Sequence, residues 1–241
     1  MPRITAIMNA YGRPEQFMAQ KNAILRQSIR PKEIMVWQNS HKLSAEFKPA
    51  WFGGTTRAQS NYNLGVWPRF AYALNARTEY ICIFDDDTIP GRNWFQNCIN
   101  TLKTHDGLLG TAGVIFKTDQ AYKPFQYVGW RRPNDEPTRV DIVGHAWFFR
   151  REWLSMFWSE LPPVDFPAIA GEDMHFSYAL QKHGINTYCP PHTGDRSQWG
   201  STKGMLGRKG PAISLSSKGW QGMNRCLRHY VSKGFKLQCQ E

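Results

Sequence analysis

Tyr80-Ile81-Cys82-Ile83-Phe84-Asp85-Asp86-Asp87-Thr88-Ile89-Pro90 is the stretch that decides how this chain is read. Five β-prone residues run straight into three carboxylates, and Pro90-Gly91 stops the element. A buried strand that ends in clustered acids has an electrostatic difficulty. Like charges a few ångströms apart repel, and each carboxylate loses hydration beside a protein wall. The simplest remedy is a divalent cation, and hard oxygen ligands suit Mg²⁺ or Mn²⁺. The carboxyl end of an α/β strand is also where a phosphorylated ligand is expected. The stretch therefore predicts a metal–nucleotide site.

Upstream, Ile4-Thr5-Ala6-Ile7-Met8 reads as a strand and residues 15–28 as a helix, with Pro14 suited to its first turn. Glu33-Ile34-Met35-Val36-Trp37 reads as a second strand, so the start is a β-α-β unit whose strands should be parallel. A helix over residues 67–76 feeds the acidic strand, and another is expected over 93–104. Strand character returns at 108–116, 140–144 and 146–149, followed by a helix over 151–158. Gly171-Glu172-Asp173 opens a helix closed by Gly184, and a strand over 185–188 leads into Pro190-Pro191-His192. Residues 41–60 read as irregular, and the Gly-, Ser- and Lys-rich segment from 194 to 210 predicts a mobile loop. The expected fold is a single α/β domain over 1–241, with a Rossmann-like, mostly parallel central sheet flanked by helices. Within it, 1–100 would bind the nucleotide, 101–192 would carry acceptor and catalytic groups, and 193–241 would be a basic flexible loop and tail.

Composition narrows the function classes. The 241 residues are 41% hydrophobic and 14% aromatic with 10 Trp, which fits a folded globule. A net charge of +11 points to an anionic partner, and from His192 onward nine Lys and Arg face two carboxylates. No stretch approaches the roughly 20 apolar residues of a membrane span. Five scattered Cys suggest neither a zinc knuckle nor a disulfide framework, so a cytoplasmic protein with at most peripheral membrane contact is expected.

The order of these parts resembles the GT-A fold glycosyltransferases. Ile4 to Ser40 and Asp85 to Trp94 resemble the inverting family 2. Val36-Trp37-Gln38-Asn39, Pro68-Arg69-Phe70, Gly144-His145-Ala146-Trp147-Phe148-Phe149 and Gly171-Glu172-Asp173-Met174 resemble the retaining exostosin C-terminal domains of family 64. The resemblance implies a Mn²⁺- or Mg²⁺-dependent enzyme that moves a sugar from a UDP- or GDP-sugar to a glycan, glycoprotein or glycolipid. It implies Asp87 as metal ligand, Asp85 as ribose or indirect metal partner, Asp86 at the ribose and His192 as third metal ligand. Asp173 would be the general base of an inverting reaction, with Glu172 binding the acceptor or orienting the loop. In an exostosin-like retaining reading, Asp173 would instead lie beneath the anomeric carbon.

Ala10, Tyr11, Arg13 and Asn39, after the first two strands, and Arg69, before the acids, are the nucleotide-binding candidates. Family 2 usually carries an acid near Asn39, so the base stays open. Arg196, Lys203, Arg208 and Lys209 would close over the diphosphate, and Asp141, His145 and Trp147 would flank the acceptor. Two rivals stand beside this reading. A nucleotidyltransferase would need a Gly-rich phosphate loop, whereas Asn9-Ala10-Tyr11-Gly12-Arg13-Pro14 has one Gly. A nucleic-acid-binding protein would need a recognisable module or a basic helix with stacked aromatics, whereas the late Lys and Arg are dispersed; no nucleic-acid partner is expected.

Overall fold

A computed structural model describes residues 1–163, 170–202 and 217–241. Strand β1 (Ile4–Ala10) is followed by α1 (Pro14–Leu25) and β2 (Glu33–Gln38), and β1 and β2 pair in parallel as the β-α-β pattern requires. The acidic strand, β4 (Tyr80–Phe84), lies parallel to β1 on its other side. Each strand is buried on both faces. Cys82 and Phe84 enter one core with Ala6, Met8, Trp94 and Phe95, while Ile81 and Ile83 enter another with Ile7, Phe70, Phe157 and Phe176. Unbroken apolar runs are the pattern of a sheet covered by helices on both sides.

Helices α1 and α3 (Trp94–Leu102) cover one face; α2 (Pro68–Tyr72), α4 (Leu154–Ser159) and α5 (Glu172–Gln181) cover the other. The sheet contains four more strands from later in the chain: β5 (Gly107–Leu109), β8 (Thr138–Val140), β10 (Ala146–Arg150) and β11 (Asn186–Cys189). With the edge strand β3 (Thr56–Gln59), the order is β3-β2-β1-β4-β10-β5-β11-β8. Four of its seven pairings are parallel, and β10 runs antiparallel between β4 and β5. A second sheet, β7-β6-β9, is built from β6 (Ala112–Phe116), β7 (Phe125–Gly129) and β9 (Ile142–Gly144).

Three expectations need correction. Residues 41–60 include β3, whose side chains are mostly exposed; a polar edge strand carries no apolar alternation to find. The run 108–116 is two strands in different sheets, not one element. The chain from residue 217 on is not a flexible tail. Helix α6 (Ser217–Ser232) buries Cys226, Leu227 and Tyr230 against Met174, Tyr178 and Ile142, and Phe235 and Leu237 join that core. Its apolar residues fall at three- and four-residue spacing among basic ones, so composition conceals the face that binds.

Candidate active site

The acids emerge where β4 ends, and neighbouring elements fix their backbone. Gln20 of α1, which is 1% exposed, donates from Nε2 to the carbonyls of Asp85 (2.6 Å) and Thr88 (2.5 Å). Asn9 donates to the carbonyl of Phe84 (2.9 Å). The turn is thus clamped by two side-chain amides that sequence reading left unassigned; a polar residue on the buried face of α1 was the available signal.

The charge problem at the acids is met first by two arginines. Arg13 pairs with Asp86 and lies 3.8 Å from Asp87, while the backbone N–H of Gly12 donates to the other Asp86 oxygen (3.0 Å). Arg69, 5% exposed, pairs with Asp85 and donates to Glu172 Oε1 at 2.6 Å. Its guanidinium lies 4.5 Å from the Trp147 ring. Arg69 therefore ties the end of β4 to the start of α5. Burial raises the pKa of Asp86 to about 6 against the opposing charge of Arg13.

His145 completes the cluster. It has φ 69°, a left-handed backbone conformation uncommon for a residue with a side chain, and such positions gather at functional sites. Its carbonyl accepts from Asp85 N (2.9 Å), and the next residue, Ala146, pairs with Phe84 across the antiparallel β10–β4 ladder. This pairing delivers Nδ1 to 3.7 Å from Asp85 Oδ2 and 3.5 Å from Asp87 Oδ1. Burial disfavours the charged imidazole, but the hydrogen bond and charge of Asp87 outweigh it and raise the His145 pKa. Burial likewise pushes Asp87 up, yet His145 and Arg13 bring its carboxyl down to about 2.

Asp85, Asp87 and His145 each offer a ligand atom, all within 4.8 Å of one another. The arginines engage the outer carboxylate oxygens and leave Asp85 Oδ2 and Asp87 Oδ1 turned toward the imidazole. Two anionic oxygens and one imidazole suit a divalent cation such as Mn²⁺, and hard oxygen donors also admit Mg²⁺. The residues present therefore fit the metal that the acids implied.

A cavity of about 550 Å³ opens over this cluster. Asn9, Tyr11, Arg13, Asn39, Arg69 and the three aspartates line one end, with Glu172 and Asp173 also at its wall. Gly171 (φ 100°) supplies the left-handed turn that starts α5 and points these two carboxyls inward. Burial raises the pKa of both, so it outweighs the helix dipole that would favour the anions; Arg69 opposes it at each. Glu172 is held by Arg69, whereas Asp173 accepts only from its neighbour Met174 N (2.8 Å) among the described hydrogen bonds.

Several expected residues stand elsewhere. His192 is 0% exposed, its Nε2 bonded to Thr111 Oγ1 (2.7 Å) and its Nδ1 to the Pro190 carbonyl (2.8 Å), and burial lowers its pKa to about 4. With both ring nitrogens engaged, it is a packing residue between Trp94 and Trp199 and not part of the acid cluster. Asp141 is 5% exposed and accepts from Phe116 N (2.7 Å) and Gln238 N (2.8 Å), so it braces the C-terminal segment instead of flanking the cavity. Asn39 lines the cavity, but its amide holds the 63–65 loop, donating to Asn63 and Gly65 and accepting from Leu64 N. Ala10 is buried within β1 and its carbonyl accepts from Asn39 N.

Arg196 is exposed on a turn anchored to the β4–α3 connection through Gly91 N to Trp199 O (2.8 Å) and Asn93 N to Ser197 O (2.7 Å). It is not among the residues described as lining the cavity. Lys203, Arg208 and Lys209 lie outside the described residues. Trp147, expected beside the acceptor, lines the cavity but is 2% exposed and lies under Arg69, while His145, also in the lining, stands with Asp85 and Asp87 in the group that could hold a metal.

No protein-family model and no curated protein matches this chain. Among solved structures it is similar to the mannosyltransferase PcManGT from Pyrobaculum calidifontis, a structure in complex with GDP-Man and Mn²⁺. The TM-score is 0.55 at 19% identity over 79% of this chain, which spans 55% of the length of the other. That likeness shows the fold: an α/β architecture with a mostly parallel central sheet flanked by helices.

Proposed function

We propose that this protein is a metal-dependent glycosyltransferase that moves a sugar from a nucleotide-diphosphate sugar to an acceptor hydroxyl. The observation that carries the proposal is the convergence of Asp85, Asp87 and His145 at one end of a cavity whose wall also bears Asp173. A bound Mn²⁺ or Mg²⁺ would supply Lewis-acid stabilisation of the departing diphosphate. In this reading Asp87, Asp85 and His145 hold the ion. Tyr11, with its ring 4.7 Å from that of His41, and the Asn39-braced loop border the nucleoside, and Asp86 faces its ribose. The GDP-mannose and Mn²⁺ of the similar structure make that pair the first donor and metal to try.

Asp173 is assigned as general base. It lines the cavity, has no arginine partner among the described residues whereas Glu172 is paired with Arg69, and has a pKa raised by burial toward the range in which a carboxylate accepts a proton effectively. It takes the proton of the acceptor hydroxyl as that oxygen attacks the anomeric carbon, which gives inversion. Glu172, fixed by Arg69, holds the start of α5 in place relative to the acids.

Thermal shift with GDP-mannose and UDP-glucose, each with and without Mn²⁺, tests the proposal, because a ligand that binds only the folded state raises its melting temperature. A metal-dependent rise with a nucleotide sugar is expected. Its absence across both donors, together with no nucleoside diphosphate release, would remove the basis of the assignment. NMR of the product anomer tests inversion: retention of the donor configuration would count against Asp173 as base.

A further inference from the structure

Another part of the cavity lining is of a different kind. Phe125 and Tyr127 of β7, Trp130 just beyond it and Trp220 of α6 form it, and each is half-buried. Their positions are fixed by ring contacts. Phe125 and Tyr127 meet edge to face at 4.7 Å, and Tyr122 lies 5.5 Å from Phe125 and 5.7 Å from Trp220. Cations lie over two of the rings. Arg131 lies 4.6 Å from the Tyr127 ring and donates to its hydroxyl (2.8 Å), and Lys123 Nζ is 3.6 Å from the Trp220 ring. Trp130 approaches His145 at 5.7 Å, so the aromatic wall reaches the metal cluster.

We propose that this wall is the acceptor subsite and that the acceptor is a saccharide, its ring lying against Tyr127 and Trp220 and its attacking hydroxyl toward Asp173. The assignment rests on the glycosyltransferase reading. A pyranose presents a face of C–H groups and a rim of hydroxyls. Aromatic faces carry negative quadrupole density that attracts those C–H groups, and cation and hydroxyl groups beside the rings meet the rim. Rings with two side-chain torsions also lose little conformational freedom on binding. Val114, Ile142, Val143 and Met223 also line the cavity, but an acyl or prenyl chain needs only such aliphatic groups, whereas the rings with cations over them answer the hydroxyl rim and C–H face of a sugar.

Saturation-transfer NMR on the full chain, with cellotriose, maltotriose, mannotriose and chitotriose as probes, tests this without requiring turnover. Geranyl phosphate serves as the lipid probe, and calorimetry of GDP with Mn²⁺ serves as the donor-side control. At least one trisaccharide should show transfer to its ring C–H protons. Its affinity should fall about tenfold in Trp220→Ala and in Tyr127→Ala, the loss of one aromatic contact. GDP–Mn²⁺ affinity should stay within about twofold, since no described hydrogen bond, ion pair or ring contact joins Tyr127 or Trp220 to the aspartates. Trp220→Phe should recover most of the loss, and Tyr127→Val, which suits a strand, replaces Tyr127→Ala if the latter does not fold.

The proposal is overturned if no trisaccharide binds, if binding survives both substitutions, or if geranyl phosphate alone binds in a manner that the substitutions abolish. Loss of GDP–Mn²⁺ binding in the unaltered protein would instead strike the glycosyltransferase reading, with the saccharide result still legible.

Discussion

The two ends of the cavity are built by opposite means. At the aspartate end, three carboxylates and Glu172 interlock with Arg13 and Arg69 beneath a large β-sheet core. At the aromatic end, a three-stranded sheet and a C-terminal helix present half-buried rings, and cations lie over two of them. The first end spends its polar groups on one another, so its geometry is set before any ligand arrives. The second lines the cavity with rings, two of which hold a cation over one face. Such a division suits a reaction in which a charged donor is held rigidly and a neutral partner is received.

Breaking the charged end should have the largest effect. Asp87→Ala should lower transfer by about a thousandfold, as loss of a principal electrostatic stabiliser does, and abolish the Mn²⁺-dependent thermal shift. Asp173→Asn should lower kcat by about 10²–10⁴ while leaving that shift in place, because a general base acts in the chemical step and not in donor binding. An Asn variant with near-normal kcat would remove Asp173 from the chemistry.

The pH profile sharpens the same point. Burial raises the Asp173 pKa, and a base works only when deprotonated. Activity should therefore be lost as pH falls through a value above the ordinary aspartate range, around 4. An acid limb at the ordinary position would show that the carboxyl is not buried under the assay conditions.

Arg69→Met should destabilise the fold by about 3 kcal/mol in urea titration, because it strands carboxylates at the end of β4 and the start of α5 together. Unaltered stability would mean that the two elements do not depend on this bridge. The smallest contrast compares the histidines. His145→Ala should weaken Mn²⁺ binding about tenfold or more, by analogy with disturbance of a metal site's supporting groups. His192→Gln should leave Mn²⁺ affinity unchanged and lower stability by about 1–3 kcal/mol, the cost of disturbing a buried hydrogen-bonded group. Equal effects on metal binding would erase the distinction drawn between them.

These two residues also show what a linear reading reaches. His192 follows a strand and two prolines, and nothing local distinguishes a ligating imidazole from one whose nitrogens are already bonded to Thr111 and Pro190. His145 owes its place to the antiparallel insertion of β10 beside β4, a pairing across some sixty residues that no local pattern encodes. Helix α6 escaped for another reason: its polar residues are numerous enough to mask a narrow apolar stripe.

By itself, the sequence determined the β-α-β start, the acidic strand end and the α5 start with its paired carboxyls, because hydrophobic runs, turn residues and helix signals act over a few neighbours. From these parts the α/β class follows. Only the tertiary structure decided that two arginines share the charge of the aspartates, that His145 and not His192 joins them, and that a C-terminal helix completes an aromatic wall. Those outcomes depend on which distant strands pair and which polar atoms already have partners, and both are properties of packing in three dimensions.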